Sequence, residues 1–266
     1  VDLLEELENR SIYIFREAFA RLPRLGLLWS AGKDSTVLLW LARKAFFGRL
    51  PFPVIHVDTS YKFPEIYEFR DRLAREWGFQ LVVARNDEAL ARGMDHRQGV
   101  EVCCQALKTE ALARAIEGLG LAAVALAIRR DEHGIRAKER VFSPRSAEFT
   151  WNYQDQPAEL WDFYRPHQGR REHTRVHPML DWTERDVWRY VEREKIPVNP
   201  LYLARQGRRY RSIGCRTCCA PIPSAAGSVA QILAELQSDR SPERAGRAQD
   251  KEDLYTMQKL RSLGYM

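Results

Sequence analysis

Four short apolar runs alternate with amphipathic segments over the first half of the chain, and no other feature restricts the fold as strongly. The runs are residues 25–29 (LGLLW), 53–58 (PVIHVD), 79–84 (FQLVVA) and 122–128 (AAVALAI). Each is dominated by Leu, Ile, Val or Ala, as expected of strands buried on both faces. Residues 36–47, 64–77 and 104–118 carry apolar side chains at helical spacing. Such alternation implies a parallel sheet with helices on both faces. Residues 176–180 (VHPML) supply a fifth strand, and Thr183 opens a helix through Glu194 because TERD offers a side-chain cap with acids in the first turn. The expected architecture is α/β, with a five-stranded parallel sheet.

The flanking segments add an N-terminal helix and a C-terminal extension. Leu3, Leu4, Leu7, Ile12, Ile14, Phe15, Ala18 and Phe19 recur at helical spacing. Asp2, Glu5, Glu6 and Glu8 stand where a signal peptide would be basic. The longest apolar stretch, residues 119–128, is well below the roughly 18 residues that span a bilayer. No membrane segment is expected, and the cytoplasm is the expected location. Residues 1–203 read as the main α/β domain, with residues 204–266 packed on it and contributing two short helices around an Arg-rich loop.

Lys and Arg number 42 against 36 Asp and Glu, a net charge of +6 that favours anionic ligands only weakly. Arg165, Arg170, Arg171 and Arg175 form one local group, and Arg205, Arg208, Arg209 and Arg211 another. Guanidinium groups match phosphate or sulfate bidentately, so nucleotide binding and a nucleic-acid contact both stay open, as does a solvated basic surface.

The most specific chemical signal is residues 30–35 (SAGKDS), between the first strand and its helix. Gly32 lets a ligand approach the backbone, and amides at the following helix N-terminus point at an anion. Ser30, Ser35 and Thr36 add hydroxyls and Lys33 a point charge. The spacing is not GxxxxGK[ST], and the shorter loop suits a pyrophosphate group.

The five cysteines fall in two clusters, Cys103–Cys104 and Cys215-Arg-Thr-Cys218-Cys219. Adjacent thiols do not bridge one another easily, but two pairs brought together supply four ligands to zinc or to an iron–sulfur cluster.

SAGKDS resembles the SGGKDS loop of the PP-loop ATP pyrophosphatases. The resemblance extends over nearly the whole chain through residues 54–61 (VIHVDTSY), 108–112 (KTEAL), 128–144 (IRRDEHGIRAKERVFSP), 159–164 (ELWDFY), 176–190 (VHPMLDWTERDVWRY), 196–203 (IPVNPLYL), 210–215 (YRSIGC) and 241–246 (SPERAG). Together these are similar to the PAPS reductase family, nearest its branch of ATP sulfurylase (sulfate adenylyltransferase) small subunits with the APS and PAPS reductases. The resemblance implies a Rossmann-like, adenine nucleotide α-hydrolase-like fold and an enzyme that cleaves ATP between the α- and β-phosphates. By position, Ser30, Ala31, Gly32, Lys33, Asp34 and Ser35 would form the pyrophosphate site. His56, Asp58 and Thr59, at the second strand's C-terminal edge, would meet adenosine or Mg2+. Arg129, Arg130, Asp131, Glu132, Arg136, Lys138 and Arg140 follow the fourth strand at the same edge. Among them Arg129, Arg130 and Lys138, with Lys33 and Asp34, are the implied catalytic groups, and Arg129 also the nucleotide's partner.

The paired cysteines resemble the [4Fe–4S] signature of the assimilatory APS reductases, which implies Cys103, Cys104, Cys215 and Cys218 as ligands and Cys219 as a spare. The sulfurylase small subunits resemble this chain there only at Gly214–Cys215. No Cys follows Cys219 to match the reductases' C-terminal nucleophile, which disfavours sulfonucleotide reduction. The short segment between Tyr202 and Tyr210 leaves the usual GTPase-subunit partnership open. PP-loop proteins of DNA phosphorothioation also combine this chemistry with a cysteine cluster, with a DNA phosphate as acceptor and sulfur from a cysteine desulfurase. The first expectation is an adenylyltransferase that uses ATP, Mg2+ and a [4Fe–4S] cluster, with zinc as the alternative metal, to activate an oxyanion. Phosphorothioation, APS/PAPS reduction and a noncatalytic iron–sulfur scaffold are the alternatives.

Overall fold

The chain begins with α1 (Leu3–Arg21), fixed by a reciprocal cap in which Asp2 accepts from the Glu5 amide and Glu5 accepts from the Asp2 amide. Its Leu7, Ile14, Phe15 and Ala18 are buried. The computed structural model describes residues 2–156, 158–159, 173–239, 241–244, 246–248, 259–260 and 262–264.

The alternation then runs β1 (Leu25–Leu28), α2 (Lys33–Ala45), β2 (Val54–Val57), α3 (Pro64–Trp77), β3 (Leu81–Ala84), α4 (Asp87–Ala91) and α5 (Val100–Cys104). A π-turn at Gln105–Thr109 joins α5 to α6 (Glu110–Gly118), followed by β4 (Ala123–Ala125), β5 (Phe142–Arg145), β6 (His173–Val176) and α7 (Glu184–Glu194). A two-stranded ribbon, β7 (Arg208–Arg209) with β8 (Ile222–Pro223), precedes α8 (Val229–Ser238). Proline at the first position of α3 and Gly78 at its end, at φ 63, fit the residue preferences of helix termini.

The main sheet has the order β3-β2-β1-β4-β6-β5. All pairings are parallel except β5 against β6. Successive residues face opposite layers. Leu27, Val54 and Ala123 share a core with Phe15, Leu38, Leu41 and Trp188 of α1, α2 and α7. Leu28, Ile55 and Val124 share another with Leu112 and Ile116 of α6. Helices thus cover both faces, which is why the strands read as continuous apolar runs.

Two strand expectations change. Among the described residues the sheet has six strands rather than five, because residues 142–145 (FSPR) form an antiparallel edge strand. Pro144 cannot donate to a ladder and is tolerated because β5 pairs only with β6. The strand expected at residues 176–180 lies at His173–Val176 instead, since the chain turns after Pro178. His173, Thr174 and Arg175 are buried although polar, so apolar patterning does not reveal them. Of the two C-terminal helices expected, α8 is present, whereas the second falls largely outside the described residues. So do Arg165, Arg170, Arg171 and most of residues 159–164.

From β1 the chain moves outward to β2 and β3, then returns to the other side of β1 with β4. That reversal opens a crevice beyond the C-terminal ends of β1 and β4, where open α/β sheets bind ligands. Residues 30–35 and Arg129 both leave the sheet there. No helix among the described residues is long and apolar enough to cross a membrane.

Candidate active site

The loop after β1 is held from several directions. Ala31 adopts φ 62, a left-handed conformation that costs a non-glycine residue on the order of 1 kcal/mol. Gly32 is the N-cap of α2 and offers no side-chain cap. A Cβ there would stand 3.2 Å from the Tyr202 hydroxyl and 3.3 Å from Ser30 Oγ, so the position is narrow. The Lys33 amide donates to the Tyr202 hydroxyl at 2.9 Å. Ser30 and Ser35 share a hydroxyl contact of 3.0 Å, and Thr36 Oγ1 donates to the Gly32 carbonyl at 2.8 Å while accepting from the Trp29 indole at 3.1 Å. Burial lifts the Tyr202 phenol to about 12, so it stays neutral and able to accept.

A buried ionic cluster sits on this loop. Lys33 Nζ lies 2.9 Å from Asp34 and also pairs with Glu243, while only 1% of its side chain is exposed. Arg129, fully buried, pairs with Asp34 and Glu243 and lies 2.9 Å from Asp131. Glu132 pairs with Arg136 and stands 3.4 Å from Arg244. Burial opposes the charge of Arg129, but Glu243, Glu132 and Asp131 outweigh it and raise its pKa. Burial likewise opposes ionisation of Glu132 and Glu243; Arg136 and Arg129 overcome it at Glu132, and Arg129 and Lys33 at Glu243, so both carboxyls lie below their usual range.

Beside the cluster is a cavity of ≈ 160 Å³, lined by Ser30, Gly32, Asp34 and Ser35 of the loop, by Ile128 and Glu132 after β4, and by Tyr202. Lys62, Lys108, Arg136, Arg244 and Arg247 add five cationic side chains to its wall. A second, smaller cavity is lined by all four expected ligands, Cys103, Cys104, Cys215 and Cys218, with Thr59 and Lys108. Lys108 therefore stands between the two. The Thr59 hydroxyl is 3.1 Å from Cys215 Sγ. A hydrogen bond from Cys218, with the cations Lys108 and Lys62, holds the Cys215 thiol well below its ordinary range against the effect of burial. The same hydrogen bond and burial push Cys218 up. Burial, then Cys104, pushes Cys103 up to about 11. Cys219 lies outside this wall, with Arg247 donating to its sulfur at 2.9 Å.

Several expected positions do not line the cavity, and Lys33 and Arg129 are among them, both buried in the ionic cluster beside it. His56 is fully buried, its Nδ1 bonded to the Trp29 carbonyl at 2.9 Å, so it supports the end of β1 from within. Asp58 Oδ1 accepts from the Ser60 amide and the Tyr67 hydroxyl, both at 2.8 Å. Arg130 turns to Asp181, and Lys138 lies over the Tyr153 ring at 5.3 Å. Of the Arg groups, Arg209 reaches Glu235 at 2.7 Å, and Arg211 reaches both Glu184 and Asp239 at 2.8 Å. Those two arginines are internal struts rather than a nucleic-acid surface. Tyr202 and Glu243 lie in segments that carry the family resemblance, but spacing alone gives neither a role, because nothing ties positions 169 and 210 residues away to Lys33.

A mainly parallel sheet whose strand order reverses at β1, with helices on both faces, defines an α/β protein of the Rossmann type. The chain belongs to the phosphoadenosine phosphosulfate reductase domain family, which matches residues 24–221. It is 41% identical to "Sulfate adenylyltransferase subunit 2" of Azospirillum brasilense, over 98% of this chain and 97% of that protein. The protein of the same name from Methylorubrum populi is 39% identical, over 98% of this chain and 95% of that protein. The expectation of an adenylyltransferase enzyme agrees with these relatives. In fold, the chain is similar to the PAPS reductase of Candida auris, with TM-score 0.57 and 18% identity over 82% of this chain and 97% of that one.

Proposed function

We propose that this chain is the ATP-cleaving small subunit of a sulfate-activating adenylyltransferase. The observation that carries the reading is the convergence of residues 30–35, Arg129 and a cation-lined cavity at the sheet's reversal, in a chain about 40% identical to sulfate adenylyltransferase small subunits. The acceptor oxyanion attacks the α-phosphorus in line, while the loop and Lys33 hold the departing β,γ-pyrophosphate. Arg129 helps neutralise that charge, and Lys62, Lys108, Arg136, Arg244 and Arg247 receive the oxyanion. No covalent protein nucleophile is needed. Arg130 and Lys138, which face away, act indirectly in this account. His56 does the same by holding the end of β1.

Asp34 and Glu132 are the carboxylates on the cavity wall, which fits Mg2+, an ion that takes one or two protein carboxylates beside phosphate oxygens. When bound, the ion supplies charge neutralisation to the leaving group. The thiol cavity fits a [4Fe–4S] cluster in donor chemistry, one thiol for each corner. Zinc, which takes four thiolate ligands, is the alternative for the same four cysteines. Cys103, Cys104, Cys215 and Cys218 would hold the cluster, which when bound would supply an electrostatic anchor at the cavity wall beside Lys108. A large GTPase subunit is the proposed partner, and the cytoplasm the proposed location.

The test is exchange of labelled pyrophosphate into ATP by the chain with its large subunit. Exchange that requires sulfate supports the reading, and exchange indifferent to sulfate refutes it. The thiol cavity favours one second reading, phosphorothioation, in which a DNA phosphate takes the acceptor's place and a cysteine desulfurase supplies sulfur. Exchange dependent on an oligonucleotide instead of sulfate would identify it.

A further inference from the structure

The phosphate loop has its cations already occupied. Glu243 bridges the two, with one carboxylate oxygen on Lys33 Nζ and the other on Arg129 Nη2. All three side chains are at least nine-tenths buried, at 1% exposure for Lys33, 0% for Arg129 and 6% for Glu243. Two oxygens of one anionic group, each meeting a different cation, is the pattern a bound phosphate would make at this loop.

The segment carrying Glu243 is anchored at both ends. Arg211 donates to Ser241 Oγ and to Asp239 Oδ2, each at 2.8 Å. The Ala220 amide donates to the Gly246 carbonyl at 3.0 Å, and Cys219 bridges Arg247. A Cβ at Gly246 would lie 2.8 Å from the Ala220 carbonyl oxygen, so the segment sits close against the chain beyond Cys218. The carboxylate is thus delivered to the loop by a shaped strap rather than by a freely moving tail.

We infer that Glu243 is an internal stand-in for a phosphate group, one that competes with the β,γ-phosphates of ATP and with pyrophosphate for Lys33 and Arg129. The inference rests on the reading of residues 30–35 as the pyrophosphate site. Together with Asp34, which pairs with both cations, and Asp131, the carboxylate keeps Lys33 and Arg129 compensated, since an uncompensated buried charge is costly. An arriving phosphate takes over the same two partners and displaces the carboxylate. Its return as pyrophosphate leaves completes the exchange, so Glu243 weakens product retention and hastens release. It acts through Lys33 and Arg129 and is a positioning residue.

The experiment is calorimetric titration of the full chain with inorganic pyrophosphate and, separately, with AMP, for the wild type, Glu243→Gln and Glu243→Asp. Glu243→Gln keeps the shape and removes the competing charge. Pyrophosphate should bind it roughly tenfold tighter or more, the scale of one charge-assisted contact, with AMP affinity unchanged. Glu243→Asp keeps the charge but draws it back by one methylene, and its pyrophosphate affinity should fall between the other two. Unchanged or weaker pyrophosphate binding by both variants, with wild-type binding intact, overturns the inference and leaves the phosphate-loop reading standing. Failure of all three proteins to bind pyrophosphate overturns the phosphate-loop reading itself.

Discussion

Tyr202→Phe removes a single oxygen and isolates the contribution of the phenol to the loop after β1. The ring is 2% exposed and packs edge-on against Trp188 at 5.4 Å, so the phenyl group keeps its place. The lost oxygen is the acceptor for the Lys33 amide at 2.9 Å. Orphaning a buried donor costs about 1–3 kcal/mol. For a chain of this size, each kcal/mol moves Tm by about 2–4 °C. The variant should therefore melt roughly 2–12 °C lower, read by scanning calorimetry. At saturating pyrophosphate the gap should narrow, because a phosphate oxygen can accept the orphaned hydrogen bond. An unchanged Tm, or a gap that widens with pyrophosphate, would refute the claim that Tyr202 holds the loop amide in place of a ligand.

Other expectations follow from the same geometry. Lys33→Ala should lower kcat for pyrophosphate formation by roughly 10²–10³, the usual cost of losing one charge-stabilising donor, while circular dichroism stays native. Ala31→Gly should raise stability by about 0.5–1 kcal/mol in denaturant titration, since φ 62 suits glycine. Chain purified anaerobically should absorb near ~400 nm with about four irons, and Cys103→Ala or Cys215→Ala should lose both signals; one equivalent of zinc in their place would contradict the cluster. Burial, with nearby cations, lowers His56 to about 3 and His173 to about 2, against 6.5 in the unfolded chain. The unfolded state then binds more protons as pH falls below 6.5, so stability is full above that value and is lost toward pH 3, by about 2 kcal/mol per histidine between pH 7 and 5. His56→Asn should remove about half of that slope in pH-dependent melts.

What the sequence reveals follows from the range of the interactions. Residues 30–35 are legible as a strand-to-helix turn, because strand, turn and helix N-terminus are neighbours in the chain. The thiol cavity is legible by composition alone, since all five cysteines fall in two clusters. The strands β5 and β6 are not, because Pro144 and the buried polar residues His173, Thr174 and Arg175 break the apolar pattern that marks the other four. Arg209 and Arg211 look like an anion surface until folding supplies Glu235, Glu184 and Asp239. Glu243 lies in a segment that carries the family resemblance, residues 241–246, but its role arises only where that distant segment meets the loop after β1.

The most direct measurement supplies ATP labelled in its γ-phosphate, together with acceptor and partner subunit, and follows where the label goes. Bond breakage next to adenosine, held by residues 30–35, predicts that the label leaves as pyrophosphate and that AMP remains bonded to the acceptor. Label appearing as orthophosphate beside ADP would contradict it.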